Sequence, residues 1–287
     1  MDQKPRGYRR QDPDRTRHSQ SNANEQRASP DGAVTLDGDW NVAMMSPGCI
    51  LHPFGPGLHL DARHVLWLPA HRTLVAADLH LGYVWAHRYA GQLLPISAPD
   101  DTIDRLAALV AEYRPVQLVL LGDIVHRAIP VPALRQQLES LSSRLASVTI
   151  RWIAGNHDRQ LESLLRECGL SGIRLEPELM LAPHLLTHGD ERESAAAART
   201  LDRLQAGAGW LIMGHEHPAI HLHDRITTSV KCPCFLAGPR ILILPAFSRW
   251  SAGSNIRGSL FLSAFAREAL FTHAYAILAG RILPISL

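Results

Sequence analysis

An α/β fold built on two facing, mixed β-sheets flanked by helices is what this sequence predicts, and three observations predict it. Between residues 64 and 168, short apolar runs alternate with stretches of helical period, the pattern of a parallel sheet with helices packed on it. From residue 172 the pattern changes to short strands in a meander, which calls for a second sheet. Neither an internal repeat nor a linker interrupts residues 41–287, so both sheets are expected in one domain.

Residues 1–40 are polar, rich in Arg, Gln, Ser, Asn and Asp. Such a segment cannot bury enough apolar surface to offset its ordering entropy, so a disordered tail is expected. Arg6, Arg9, Arg10, Arg15 and Arg17 could touch nucleic acid, but acids are interleaved with them, which favours a solvated extension. "HVLWL" (64–68) and "TLVAAD" (73–78), joined by "PAHR", read as a hairpin. "PDDTIDRLAALVAEYR" (99–114) places Ile103, Leu106, Leu109 and Val110 on one helical face behind an acidic first turn. "VQLVLLGD" (116–123) is a buried strand, "PALRQQLESLSSRLAS" (132–147) a helix, "VTIRWIAGN" (148–156) a strand and "DRQLESLLREC" (158–168) a helix. Short strands over 172–190 and an alanine-rich helix over 190–207 follow. "WLIMGHEHP" (210–218) reads as a strand then a loop, followed by "RILILPAF" (240–247) and "GSLFLSAF" (258–265) as further strands.

A net charge of +2 over 287 residues is too small to argue for an electrostatic partner. Of the 29 basic residues only Lys4 and Lys231 are lysine, which reflects arginine-rich codon usage better than a phosphate site. Cys49, Cys168, Cys232 and Cys234 form no disulfide framework, and the first residues lack the apolar core of a secretory signal. No run approaches the roughly 18 apolar residues of a membrane span, so the expectation is a cytoplasmic protein with no membrane partner. The pair in "KCPCF" lacks the second half of a zinc site and reads as structural thiols beside a proline turn.

Sixteen histidines are the unusual count, and their placement matters more than their number. Five apolar runs end in ligand-type residues: Asp78 and His80, Asp123, Asn156 and His157, His188, and His215 and His217. Gly122, Gly155, Gly189 and Gly214 accompany them and permit close backbone approach. Any one cluster reads as a turn or a hydrogen-bonded core histidine. Five together do not, because buried carboxylates and imidazoles are costly unless paired or metallated. Nitrogen and oxygen donors without thiolate suit Mn, Fe, Zn or Ni. Seven donors exceed one tetrahedral ion, so two divalent ions are implied. Paired ions roughly 3.5–4 Å apart serve in-line displacement at phosphorus, and Asp123 or a hydroxide can bridge them.

The order D-x-H, G-D, G-N-H-D, H-G-D, G-H-x-H over residues 78–217 resembles the calcineurin-like metallophosphoesterase superfamily. "AHRTLVAADLHLG", "GDIVHR", "GNHDR", "GHEHPA", "KCPCF" and "LPAF" resemble most the bacterial DNA-ligase-associated metallophosphoesterases, proposed DNA-damage-response endonucleases. The resemblance implies a four-layer α/β/β/α sandwich. It implies Asp78, His80 and His217 on a first ion, Asn156, His188 and His215 on a second, and Asp123 between them. Manganese is the expected metal. His157 would face the substrate, stabilising phosphorane-like charge or protonating the leaving oxygen. His126 stands where many relatives carry the aspartate that orients this histidine, so His126 and Asp158 enter the catalytic set, with Asp158 as the substitute orienter. Arg127 could bind a substrate phosphate. Residues 82–90 would cover the cleft, Tyr83 and Trp85 packing on the core rather than stacking a base, with His87, His221 and His223 around the site or on the surface.

The function this implies is phosphodiester hydrolysis by in-line attack of a metal-bridging hydroxide. DNA is the expected substrate, with a ligase and a helicase or nuclease as partners in a repair pathway. Two other readings use the same residues. The same metals serve a phosphomonoesterase or a pyrophosphohydrolase of a small molecule or lipid precursor. A non-catalytic scaffold would have lost ligands, and here every position is filled.

Overall fold

Why the polar clusters meet is decided by strand direction. The computed structural model describes Val34–Thr35 and residues 50–287, apart from 93, 95–100, 206, 208, 224–228 and 259. The tail expected over 1–40 therefore lies outside the described residues, apart from that two-residue strand. In the first, seven-stranded sheet, Leu51–Phe54, Leu58–Asp61, Val65–Leu68 and Thr73–Ala77 form an antiparallel meander. Gln117–Leu121, Thr149–Ile153 and Leu175–Glu176 then add in parallel to its last strand. Helices Thr102–Tyr113, Pro132–Arg144 and Leu161–Glu167 make the crossovers.

Period-two alternation divides each parallel strand between two cores. Leu74, Ala76, Leu118 and Leu120 face the helices and pack with Leu106, Leu138 and Leu161. Val75, Ala77, Val119, Leu121 and Ile153 face the other way and meet Leu186, Ile212 and Leu242 of the second sheet. Beyond that sheet, Leu185, Leu211 and Met213 pack on Ala197 and Leu201 of helix Ser194–Gln205. The layers are helix, sheet, sheet, helix. Each side chain of the parallel strands is committed to one core, so truncating Leu120 to alanine would cost about 2–5 kcal/mol.

The second sheet has ten strands. His184–Thr187, Leu211–Met213 and Ile241–Ile243 run parallel, and Glu178–Leu181, Pro218–His223, Ser229–Gly238, His273–Leu278 and Arg281–Ser286 extend it antiparallel. Three expectations are corrected here. Residues 258–265 are not a strand: Leu260 and Leu262 are exposed at 92% and 64%, and helix Ala264–Glu268 begins behind them. Residues 172–190 are not one meander, because Leu175–Glu176 joins the first sheet while the strands after it join the second. "KCPCF" lies inside a strand rather than at a turn, with Cys232 and Cys234 buried. No helix among the described residues is long and apolar enough to cross a membrane.

Candidate metal centre

Five parallel strands from two sheets end along one cleft: Thr73–Ala77, Gln117–Leu121, Thr149–Ile153, His184–Thr187 and Leu211–Met213. Loops beyond the carboxyl ends of such strands carry the sites of open α/β sheets. Here the loops are continuations of the ladder. Asp78 N–H donates to the Gly122 carbonyl at 3.1 Å, His80 N–H to Asp123 at 2.9 Å and Ser248 N–H to Asp78 at 3.2 Å.

The backbone is held where L-residues seldom sit. Asp78, His80, Asp123, His215 and His217 have φ of 55°, 47°, 47°, 68° and 45°. Each left-handed non-glycine residue costs about 1–3 kcal/mol and persists where the surroundings over-determine it. Two glycines make the room. A Cβ on Gly155 would overlap the backbone nitrogen and Oδ1 of Asp123, and one on Gly122, at φ +77°, would overlap the His188 ring.

Seven expected ligands converge. Asp78, His80, Asp123 and His217 present donor atoms within 4.8 Å of one another, and so do Asp123, His188 and His215. Asp123 is common to both groups. Asn156 joins the second through Oδ1, 3.3 Å from His188 Nε2. Within the first, His80 Nε2 and His217 Nε2 lie 3.2 Å apart, and His217 Nε2 is 3.2 Å from Asp78 Oδ1. Within the second, His215 Nδ1 and His188 Nε2 lie 3.2 Å apart, with Asp123 Oδ1 3.3 Å from His188 Nε2.

Such a donor set suits a divalent cation. Two pairs of ring nitrogens point lone-pair positions at each other beside two carboxylates buried at 0% and 2% exposure. A proton in each pair would satisfy one contact, whereas a cation would satisfy the nitrogens and carboxylates together. Groups outside the clusters meet the far nitrogens of two of these rings, as partners of metal-binding histidines do. His188 Nδ1–H donates to the Leu121 carbonyl at 3.2 Å, and His217 Nδ1 meets Ser251 Oγ at 2.6 Å. Both leave Nε2 for the cluster. Ser251 carried no signal in the sequence, since nothing there brings it near His217.

Electrostatics follow the contacts. Burial opposes the charge of Asp78, but His217 and then His188 outweigh it and hold its pKa below the ordinary range. Burial likewise opposes charge on Asp123, and the hydrogen bond and charge of His188 reverse that. Burial lowers His80 to about 3 and His215 to about 4, so both rings offer neutral lone pairs.

His157 stands at the open side, its side chain 34% exposed and its Nε2 3.8 Å from Asp123 Oδ2. Its Nδ1–H donates to the backbone carbonyl of His126 at 2.6 Å. That carbonyl takes the orienting place considered for Asp158. The Asp158 carboxylate is buried and accepts instead from the N–H groups of Gly155, Ile124 and Val125 at 3.0, 3.2 and 3.1 Å, and no hydrogen bond joins it to the His157 ring. Asp158 holds the two ligand loops to each other. The His126 ring lies 5.1 Å from that of His157 and 5.4 Å from that of His80, with its pKa lowered to about 4 by burial and by His157 and His87. Arg127 is exposed. His87 is not merely peripheral, since its ring stacks on His126 at 5.1 Å. His221 and His223 meet Ser229 on the second sheet and none of the ligands.

Comparison with known proteins agrees with this geometry. Residues 71–180 match the model of the calcineurin-like phosphoesterase family. Among solved structures the chain is similar to the nuclease MPE of Pseudomonas putida, at 25% identity over 82% of this chain and 100% of that one, with a TM-score of 0.55. It also aligns with Yfce, a phosphoesterase from E. coli (15% identity, 75% and 98% of the two chains, TM-score 0.34). A Vps29 single mutant from Entamoeba histolytica aligns at 12% identity over 75% and 97%, with a TM-score of 0.33. No curated protein matches. The chain thus resembles the metallophosphoesterase superfamily, on the match over residues 71–180 and the likeness to that nuclease. It is a metal-dependent phosphoester hydrolase. The matched segment ends before His188, His215 and His217, so the second-sheet half of the cluster rests on the geometry above.

Proposed function

We propose that the protein hydrolyses phosphodiester bonds, with DNA in a repair setting as the substrate, using two divalent ions, manganese first among them. The observation that carries this reading is Asp123, whose carboxylate belongs to both donor clusters. One cluster would hold one ion through Asp78, His80 and His217, the other a second through Asn156, His188 and His215. When bound, such ions stabilise charge at a phosphoryl oxygen and lower the pKa of water. The likeness to a structure described as a nuclease favours a diester over a monoester.

The chain's own residues supply the rest. Asn156 contributes a neutral oxygen, so the second cluster gains a donor without another negative charge. His157 has its Nδ1–H fixed on the His126 carbonyl, which leaves Nε2 free to carry the proton that a departing alkoxide needs. The neutral His126 ring adds no positive charge to compete for that proton. Arg127, next in the chain and exposed, is placed to meet a phosphate oxygen of a longer substrate.

With added Mn²⁺ the purified protein should hydrolyse bis-p-nitrophenyl phosphate and single-stranded DNA faster than p-nitrophenyl phosphate. His157→Ala should lower turnover by about 10²–10⁴-fold with bound metal unchanged by elemental analysis. Normal turnover in that variant would remove His157 from the chemistry, and a preference for the monoester would replace the diester reading.

A further inference from the structure

Tyr83, expected to pack on the core like Trp85, does something else. Trp85 is packed against the core between the first sheet and its helices, with the Arg88 guanidinium 5.8 Å over its ring. Tyr83 and Trp250 are absent from that packing and from the other cores. Both are half-buried, and their rings lie parallel, 7° apart in plane with centroids 5.9 Å apart. Tyr83 also contacts the His126 ring at 4.5 Å, and His126 contacts His157 at 5.1 Å. A continuous file of rings thus runs from the substrate-facing histidine out to Trp250.

Both ends of this file are fixed to the metal cluster. Tyr83 follows Leu81, which bridges to Val125, and His126 N–H donates to the Leu81 carbonyl at 2.9 Å. Trp250 N–H donates to Ser248 Oγ at 3.2 Å, and the next residue, Ser251, is bonded to His217. Two aromatic rings outside the hydrophobic cores, Tyr83 also touching the His87 ring at 4.4 Å, are thereby tied through backbone to the donor cluster. Two arginines adjoin the file in sequence: exposed Arg127 next to His126, and Arg249, 69% exposed and bonded to Asp101, next to Trp250. Aromatic rings beside such a donor cluster match a ligand with a flat π-face attached to a phosphate, and stacking on such rings is tolerant of base identity.

We propose that Tyr83 and Trp250 form a stacking platform for the nucleobase adjoining the phosphate to be cleaved. This rests on the phosphodiesterase reading and adds that the enzyme selects diesters that bear a base. The measurable quantity is the ratio of kcat/KM for thymidine 5′-(p-nitrophenyl phosphate) to that for methyl p-nitrophenyl phosphate, with Mn²⁺, since the two diesters share a leaving group. The wild-type ratio should exceed one by about tenfold or more. Trp250→Leu, which keeps bulk without a π-face, should collapse that ratio, and Trp250→Phe should retain most of it. A wild-type ratio near one overturns the platform while leaving the phosphodiesterase reading intact, and so does an equal fall of the ratio in the Leu and Phe variants. Failure of the wild type to cleave either diester overturns both readings.

Discussion

His184 and His188 stand at opposite ends of one strand, His184–Thr187, and are buried to 7% and 0% exposure. Their chemistry is opposite. At the amino end His184 is lowered from the ordinary imidazole range by burial and by the neighbouring His71, whose ring lies 6.2 Å away, and its Nδ1 has no partner. At the carboxyl end burial also disfavours charge on His188. There the hydrogen bond that the ring donates to Asp123, with Asp78 3.8 Å away, outweighs burial and raises the ring to about 9. Burial, with His71 beside it, disfavours the charged form of His184. On this strand the carboxyl end alone brings carboxylates to the ring, so positive charge is stabilised at that end. There Asp78, Asp123 and His188 would hold a divalent ion, which would supply that charge in place of the proton.

Breaking the carboxyl end should have the largest effect. His188→Ala removes one donor from the second cluster and leaves Asp123 facing Asp78 with one cation fewer. The loss should amount to several kcal/mol of transition-state stabilisation, on the order of 10³ in kcat/KM, and bound metal should fall from about two equivalents to about one. Two retained equivalents would mean that the ion pairing of His188 is structural, like the packing of His184.

A smaller effect should follow from loosening a ligand without removing it. Ser251→Ala leaves His217 in place but deletes the partner of its Nδ1. Metal affinity at the first cluster should fall by about 10–100-fold, read by competition with a chelating dye, while His188→Ala affects the second. Unchanged affinity would show that the left-handed backbone at His217 orients the ring on its own.

The ligand set was legible because its signal is local: an apolar run, a glycine, then a carboxylate or imidazole. The orienting groups were not legible for the opposite reason. The His126 carbonyl acts through backbone, which carries no residue signal, and Ser251 reaches His217 only once the loops after Leu211–Met213 and Ile241–Ile243 are set side by side in the second sheet. Asp158 was misjudged because adjacency in sequence suggested the His157 ring, whereas the turn after Thr149–Ile153 aims its carboxylate at three backbone donors. In the fold, Leu260, Phe261 and Leu262 imitate a buried strand, yet Gly258 is left-handed at φ 83° and Glu216 captures the Ser263 N–H at 2.6 Å to start a helix. Strand Ser229–Gly238 was hidden by Pro233. It is tolerated because Pro233 pairs with Ala219 on one side, while the strand on the other side begins pairing only at Cys234.

The subtlest test lies at the amino end of the same strand, where no metal chemistry intervenes. A histidine whose folded pKa is depressed stabilises the fold in its neutral form. That contribution is complete above the unfolded value of 6.5 and is lost as pH falls through 6.5 toward the lower folded value. His184→Leu removes the group, so the urea midpoint of the metal-free variant should fall less between pH 7 and pH 5 than that of the wild type. The cluster histidines titrate in both proteins and lie at the far end of the strand, so their share cancels in the difference. Parallel curves would mean that His184 keeps its proton equilibrium on folding, and burial without a carboxylate would then not suffice to neutralise an imidazole in this fold.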